Sequence, residues 1–271
     1  MYVSQTRSNK SETPRVAEAD IDQKFQSGDT SLFRVVTQTS YRDQKTLLRI
    51  QAAVRARAHY AYMEVGSHLG GTLCPHLLDP RCQLVISVDP RPCSQPDERG
   101  RRFDYHENST ARMIETLSAC MPDESINKLR TFDSDVSALK ASDLSRQVDL
   151  ALIDGEHTNR AAFRDFVSVL SLAKEDVVIV FHDAQLVHDA ISNAETMLRF
   201  LGREAYGCYA LDNVYAIGLG GSAGLVRDAL EGDRHDTAMF LDRSRSQLQQ
   251  SIAFNYPITL LREARRRLTG S

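Results

Sequence analysis

The sequence predicts a doubly wound α/β fold with a mostly parallel seven-strand sheet and helical extensions at both ends. Continuous apolar runs are typical of strands covered on both faces, helical patterns alternate with these runs, and the first run ends in a glycine-rich turn. With 271 residues and 42% hydrophobic content, the chain can bury one large core. We expect a central domain over residues 58–220, a polar tail and helical lead-in over 1–57, and a helical extension over 221–271.

The glycine-rich turn follows the first predicted strand, Tyr60–Val65, and spans residues 66–71. A turn of this kind between a strand and a helix directs backbone N–H groups towards an anionic ligand. The second apolar run, 84–88, ends in Asp89 about twenty residues farther on, where doubly wound folds keep an acid for ribose hydroxyls. Together the two features predict a nucleotide-like cofactor.

Further strands are predicted over 128–132, Val148–Ile153 and 177–181. Two final runs, 206–211 and 213–219, are separated by a turn signal and predict a hairpin. Seven strands in total follow from these patterns, and only the last two are joined tightly enough to require an antiparallel pair.

Helices are predicted between the strands from apolar residues at i, i+3, i+4 and i+7. One leads into the first strand, a second covers 110–121, a third begins after a Thr158 cap, and a fourth follows strand 177–181. The apolar positions are Leu47, Ile50 and Val54 in the first, Phe163, Phe166, Val167 and Leu170 in the third, and Leu186, Ala190, Ile191, Ala194, Met197, Leu198 and Leu201 in the fourth.

Three segments show weaker patterns. The stretch to about residue 30 has few large apolar residues and predicts a polar tail without a packed core. The stretch 90–107 is rich in proline and arginine without a period, which predicts a long and functional loop. In the C-terminal extension, apolar residues predict packing over an acceptor site or against another subunit, and the arginines near the end predict a solvated helix terminus. The residues are Leu248, Ile252 and Leu260, and Arg262, Arg265, Arg266 and Arg267.

Composition narrows the functional classes. The 33 basic and 36 acidic residues nearly balance, so we expect a small-molecule ligand and neither nucleic acid nor a membrane surface as partner. No apolar stretch approaches the roughly 18 residues of a membrane span, and the segment 1–15 is polar, so we expect a cytoplasmic protein. Five cysteines without a CxxC pair predict reduced thiols.

The element order and two motifs resemble the class I S-adenosylmethionine-dependent methyltransferases, which have a Rossmann-like sheet. The motifs are IDG-x-H at 153–157 and FHD at 181–183, and they look like the small-molecule O-methyltransferase branch that acts on sugars and macrolide antibiotics. The resemblance extends over roughly residues 60–220. It implies S-adenosylmethionine as cofactor and a hydroxylated small molecule as methyl acceptor.

The resemblance also implies roles for residues at the strand ends. The glycine turn would meet the methionine end of the cofactor, Asp89 the ribose, and the loop after strand 128–132 the adenine. The implied cofactor residues are Glu64, Gly66, Ser67, Gly70, Gly71, Asp89, Asp133, Ser134 and Asp154.

The chemical centre is predicted after the strands Val148–Ile153 and 177–181. Methyl transfer requires that the acceptor oxygen lose its proton, and an imidazole suits this task near neutral pH. We expect His157 to be the general base, with Asp154 and Asp183 positioning the acceptor directly or through a metal. The alternative is structural: His157 would cap a helix and His182 would be a satisfied core-edge histidine.

A divalent cation, Mg²⁺ or Mn²⁺, is a second expectation of the resemblance, with Asp154, His182 and Asp183 as candidate ligands. Hard cations prefer oxygen ligands, and the metal-using relatives present two acidic or amide groups after the later strand. This chain presents His182 and Asp183 there, and an imidazole favours softer ions.

Two other functions stay open at this stage. A nicotinamide-dependent oxidoreductase would also use a glycine turn and Asp89, although it favours G-x-G-x-x-G, which residues 66–71 do not match. A non-catalytic binding or assembly protein with the same fold is the third reading. The sequence also leaves open a homo-oligomer formed through the terminal helices.

Overall fold

A computed structural model describes residues 18–106 and 108–269, with side chains over 20–106 and 108–255. Segment 1–17 and the side chains of the C-terminal arginines therefore lie outside the described residues. The described strands, in chain order, are β1 (Tyr60–Val65), β2 (Cys82–Val88), β3 (Ser94–Pro96), β4 (Arg102–Asp104), β5 (Leu129–Phe132), β6 (Val148–Ile153), β7 (Ala173–Phe181), β8 (Ala205–Ala210) and β9 (Val214–Leu219).

Seven of these strands form one sheet in the order β5-β2-β1-β6-β7-β9-β8. The first five in this order run parallel, and β9 pairs antiparallel with both β7 and β8. The predicted doubly wound, mostly parallel seven-strand sheet is confirmed. The chain winds outward from β1 in one direction and from β6 in the other, so the switch point lies between these two strands. Ligands of such sheets bind at the carboxyl ends of the strands at this point.

The described helices are α1 (Glu18–Ser27), α2 (Tyr41–Arg57), α3 (Cys74–Leu78), α4 (Thr110–Ser118), α5 (Asp123–Ile126), α6 (Asn159–Leu172), α7 (His188–Phe200), α8 (Ala223–Leu230) and α9 (Thr237–Thr269). Apolar residues of α6 and α7 form a core on one face of the sheet. Those of α1, α2, α3, α4 and α8 form a core on the other. Both faces of the sheet are therefore buried, which explains the continuous apolar runs of the inner strands.

Local signals placed several elements correctly. The hydroxyl of Thr158 accepts a hydrogen bond from the Ala161 N–H and caps α6, as predicted. Strand β6 covers the predicted residues, and Phe166 of α6 is fully buried against Phe181 at the end of β7. The cap and the apolar face of α6 thus fix where this helix begins and how it lies on the sheet.

Two segments differ from the sequence predictions. Residues 18–27 form α1, because Ile21 and Phe25 are buried against the second core despite the polar composition around them. The predicted loop 90–107 contains an antiparallel hairpin of β3 and β4. The C-terminal extension contains one long helix, α9, after the shorter α8.

Candidate active site

A cleft lies at the carboxyl edge of the sheet, beside the switch point between β1 and β6. It brings together eight of the residues predicted for the site: Gly66, Ser67, Gly71, Asp89, Asp154, His157, His182 and Asp183. The segment 36–39, before α2, closes the cleft on one side, and Tyr105 lines it after the β3–β4 hairpin. The loops after four parallel strands therefore converge as expected for this topology.

The glycine turn passes very close to the backbone of neighbouring segments, which determines its conformation. Gly66 has φ +90°, and a Cβ there would overlap the Asp154 carbonyl and lie 2.6 Å from the Gly155 Cα. A side chain at Gly71 would lie 2.9 Å from the Val35 carbonyl oxygen. Gly70 (φ +82°) packs against α4 instead of lining the cleft. Glycine is required at position 66 because the β1 and β6 strand ends nearly touch there.

Asp89 is held by its own loop. Its carboxylate accepts hydrogen bonds from the backbone N–H groups of His68 (3.0 Å) and Arg91 (2.8 Å), and the Arg91 guanidinium lies 3.3 Å away. The buried Arg91 side chain also donates to the His68 carbonyl and to the Ser87 hydroxyl. Asp89 thus fixes the glycine turn, and since a carboxylate has about four acceptor sites, it retains capacity for ribose hydroxyls.

Glu64 does not line the cleft. It is fully buried on β1, where its carboxylate accepts from the hydroxyls of Tyr62 (2.6 Å) and Thr72 (2.5 Å). Burial raises the pKa of Glu64 to about 8, and the two hydrogen bonds only partly oppose this effect. Because Thr72 does line the cleft, Glu64 supports the cleft wall from behind.

The predicted adenine residues lie apart from this cleft. Asp133 accepts a hydrogen bond from Thr110 at the start of α4, and its side chain is 58% exposed. Neither Asp133 nor Ser134 is among the residues that line the cleft. The Arg91 guanidinium lies between Asp89 and Asp133, 3.8 Å from the latter carboxylate, and separates it from the glycine turn.

The chemical centre is a chain of alternating carboxylates and imidazoles. Oδ1 of Asp154 lies 3.2 Å from Nε2 of His157 and 3.0 Å from Nδ1 of His182. The other nitrogen of His157 faces Asp183 Oδ2 at 3.4 Å, and the other nitrogen of His182 faces Asp43 Oδ2 at 3.4 Å. The order is therefore Asp183, His157, Asp154, His182 and Asp43.

Charge pairing among these five residues outweighs the effect of burial on the pKa values of His157, His182 and Asp154. Burial lowers the pKa of His157, but the hydrogen bond and charge of Asp154, with the charge of Asp183, raise it above its usual value. The pKa of His182 is likewise raised well above the usual value by Asp154 and Asp43 against the effect of burial. Burial raises the pKa of Asp154, but both histidines outweigh it and hold that pKa below its usual range. An imidazolium at His182 thus keeps Asp154 ionised.

The β3–β4 hairpin positions His157 through the backbone. The Glu98 N–H donates to the His157 carbonyl at 3.0 Å, and the Glu98 carboxylate accepts from the Asn159 N–H at the start of α6. Asp97 in the turn accepts from the N–H groups of Arg99 and Arg101. The hairpin is therefore anchored to the site at one point and rigid at its turn.

The candidate metal ligands do not form a metal site. Asp154 Oδ1 is shared by two imidazoles, and Asp183 Oδ1 accepts from Gln185 at 3.1 Å. Both nitrogens of His182 face carboxylates. Across the described side chains of residues 20–106 and 108–255, no group of three His, Cys, Asp or Glu residues has an arrangement that holds a metal ion. The predicted cation is therefore without support from the described residues.

Several residues of the site were missed from the sequence, among them Asp43 and Arg91. Asp43 lies in the first turn of α2, and Arg91 lies in the segment predicted as a loop. Arg91 has φ +55°, and His68 and Asp183 at other strand ends also have positive φ (+43° and +48°). Such backbone strain concentrates at functional sites, but it has no signature in the sequence.

The cleft is narrow. Its free volume of about 80 Å³ is below the roughly 300–1000 Å³ of typical small-molecule sites. Entry of a nucleoside cofactor therefore requires that the walls move apart. Val36 of the segment 36–39 lines this cleft and is 92% exposed.

One family model matches the central segment of the chain. Residues 63–184, slightly less than half of the chain, match a family model described as a methyltransferase domain. The match supports an S-adenosylmethionine-dependent methyltransferase. The matched methyltransferase-domain segment begins in β1 and ends just after Asp183, so it contains the glycine turn and most of the acid–imidazole chain. No curated protein sequence matches the chain.

Solved methyltransferase structures show a weak likeness to this chain. The O-methyltransferase TomG from Streptomyces achromogenes, solved in complex with SAM, is 12% identical, with a TM-score of 0.46 over 74% of this chain and 89% of that one. A precorrin-6y C5,15-methyltransferase from Geobacter metallireducens GS-15 is 13% identical, with a TM-score of 0.46 over 69% and 92%. Likenesses of this size carry no information about the substrate. Among the described helices, none has the length and apolar character of a membrane span.

Replacing Gly66 by alanine tests the backbone approach of β1 and β6. We expect Gly66→Ala to lower the free energy of unfolding by more than the ~1–2 kcal/mol of left-handed strain alone, because its Cβ overlaps the Asp154 backbone. Gly28→Ala is the matched control, since Gly28 also has positive φ but no atom within 4 Å of the added Cβ. Urea unfolding of both variants measures the difference, and equal losses would show that only the backbone angle matters.

The buried Glu64 gives a pH dependence with a defined sign. Its folded pKa of about 8 lies above the ordinary 4.5, so between these values the folded protein holds a proton that the unfolded chain has released. Stability is then lost as pH rises through this window. We expect Glu64→Gln to gain stability relative to the wild type from pH 5 to pH 8, measured by urea unfolding at several pH values. A constant difference across that range would contradict the raised pKa.

Proposed function

We propose that this protein is an S-adenosylmethionine-dependent O-methyltransferase that acts on a hydroxylated small molecule, with His157 as general base. The observation that carries the proposal is the position of His157 between two carboxylates, in the same cleft as the glycine turn. The methyltransferase-domain match supports the transfer of a methyl group. The motifs at 153–157 and 181–183, which resemble the sugar and macrolide branch, support oxygen as the acceptor atom.

Residues of the cleft fit the proposed cofactor. The glycine turn lets the backbone approach a ligand closely, and Ser67 and Thr72 line the same wall. Asp89 would accept hydrogen bonds from the ribose hydroxyls at the end of β2. S-adenosylmethionine, when bound, supplies a methyl group on a sulfonium centre.

The row of alternating carboxylates and imidazoles from Asp183 to Asp43 is suited to removing a proton from an acceptor hydroxyl. Nε2 of His157 makes the hydrogen bond to Asp154, which fixes that nitrogen as the N–H donor and leaves Nδ1 to take a proton. Asp183, 3.4 Å from Nδ1, would stabilise the imidazolium that results. This is the arrangement of a base oriented by one carboxylate and stabilised by charge.

The proposal includes no divalent cation, because the candidate ligands are already paired with one another. A chelator experiment tests this directly. If activity is lost on EDTA treatment and returns with Mg²⁺ or Mn²⁺, the reaction requires a divalent cation and this part of the proposal is wrong.

Cofactor identity is tested by calorimetric titration with S-adenosylhomocysteine, NAD and NADP in parallel. We expect S-adenosylhomocysteine alone to bind, and we expect Asp89→Asn to weaken it by about 1.5–3 kcal/mol, as for a lost charge-assisted hydrogen bond. Binding of NAD would favour the oxidoreductase reading, and no binding at all would favour a non-catalytic protein. Asp133→Asn serves as the matched control, because Asp133 does not line the cleft.

The raised pKa of His157 predicts the pH dependence of turnover. A base must be unprotonated, so we expect kcat/KM to rise with pH through a pKa above the usual 6.5. Asp183→Asn removes one charge that raises this pKa, and should move the rise to lower pH. His157→Ala should lower kcat by roughly 10² to 10⁴ while S-adenosylhomocysteine affinity stays nearly unchanged. Formation of S-adenosylhomocysteine gives the rates, and full activity of His157→Ala across the pH range would remove the base assignment.

A further inference from the structure

A second cleft lies between the β3–β4 hairpin and α9, beside the chemical centre. Its volume is about 520 Å³, within the range of sites that bind small molecules. Arg99 and Arg101 of the hairpin line one side, and Gln185 and Leu186, just after Asp183, line its floor. The cleft is distinct from the narrow one at the glycine turn, which these four residues do not line.

The face of α9 that lines this cleft is unusual for a packed helix. Six residues of α9 line the cleft, at intervals of one to three residues that keep them on one side of the helix: Ser244, Gln247, Leu248, Gln250, Ser251 and Phe254. A helix that packs against a protein core normally places apolar residues at such positions. Here hydroxyl and amide groups occupy four of the six positions, and the cleft separates them from Arg99 and Arg101 of the hairpin. This face therefore presents hydrogen-bonding groups to the cleft.

Among the described residues that line the cleft, arginines carry the charge. Arg99 is neutralised by Asp97, whose carboxylate lies 2.7 Å from its Nε and is fully buried. Arg101 lies on the same hairpin, and within the described chain no carboxylate lies at ion-pair distance from its guanidinium. None of the described lining residues is acidic. The described part of the cleft thus carries one positive charge that is not paired with a carboxylate.

Two contacts connect this cleft to the proposed base. Gln185 donates from Nε2 to Asp183 Oδ1, and Oε1 of the same amide is buried without a hydrogen-bond partner. On the other side of the cleft, the hairpin that carries Arg101 makes a hydrogen bond from the Glu98 N–H to the His157 carbonyl. A ligand held by Arg101 and α9 would therefore lie against the residues that orient His157.

We propose that this second cleft binds the anionic part of the methyl acceptor, a hydroxylated small molecule carrying a carboxylate or a phosphate group, while its reacting hydroxyl extends to His157 in the narrow cleft. This inference rests on the proposed function. Arg101 would pair with the anionic group, Ser244, Gln247 and Ser251 would hydrogen-bond with ligand hydroxyls, and Phe254 would cover an apolar part at the rim. An arginine guanidinium matches the geometry of both anions.

Matched pairs of probes test the charge requirement. The pairs are 3,4-dihydroxybenzoate with 1,2-dihydroxybenzene, glucuronate with glucose, and glucose 6-phosphate with glucose, each titrated into the full-length protein with and without S-adenosylhomocysteine. We expect at least one anionic member to bind tenfold or more tightly than its neutral partner, and the advantage to shrink as salt is added. The class of probe with the larger gain in affinity over its neutral partner, carboxylate or phosphate, identifies the anion.

Two arginine variants locate the effect. We expect Arg101→Gln to remove most of the tenfold preference, whereas Arg227→Gln, which removes an exposed charge on α8, should keep it. The inference is overturned if no anionic probe binds more tightly than its neutral partner, or if both variants lose the preference equally. Failure of S-adenosylhomocysteine to bind while the Arg101-dependent preference persists would overturn the proposed function and leave the anion site standing.

Discussion

The carboxylate of Asp154 is the constraint on which the rest of the site depends. One of its oxygens accepts from two imidazoles, and this shared contact joins the end of β6 to the end of β7. A buried carboxylate is tolerated only when it is paired, so both histidines must stay in place for the strand ends to pack. His182 in turn requires Asp43, which ties α2 to the sheet edge. The residues that support charge balance are thus the same ones that orient the proposed base.

Much of the fold could be predicted because its determinants are local or periodic. The apolar runs of β1, β6 and β7 indicate strands buried on both faces, and Thr158 marks the start of α6. Hairpin β3–β4 was not predicted because each of its strands has only three residues. Strand β3 is half-buried and β4 is exposed, so neither shows an alternation of buried and exposed residues. Helix α1 was not predicted because two apolar residues, Ile21 and Phe25, are too few to show a period in a polar segment. Its ion pair from Asp22 to Arg55 of α2 is a tertiary contact without a sequence signal.

Site residues at strand ends could be predicted from the sequence. Those that reach the site only through tertiary contacts were harder to predict. Asp154, His157, His182 and Asp183 follow two strands directly, and parallel topology brings such positions together. Asp43 meets His182 across a long stretch of chain, and only the packing of α2 on the sheet brings them close. Glu64 follows the rule for position but points into the core, and Asp133 is separated from the cleft by Arg91. Side-chain direction decided these cases, and sequence spacing does not encode it.

The β3–β4 hairpin has a consequence for how this scaffold can diversify. Its strands pair only with each other, and its link to the catalytic backbone is confined to the turn residues Asp97 and Glu98. Exposed positions such as Arg101 and Phe103 are therefore free to vary without disturbing the central sheet. If the second cleft binds the acceptor as proposed, replacing this short hairpin would change the acceptor preference and leave the central sheet unchanged.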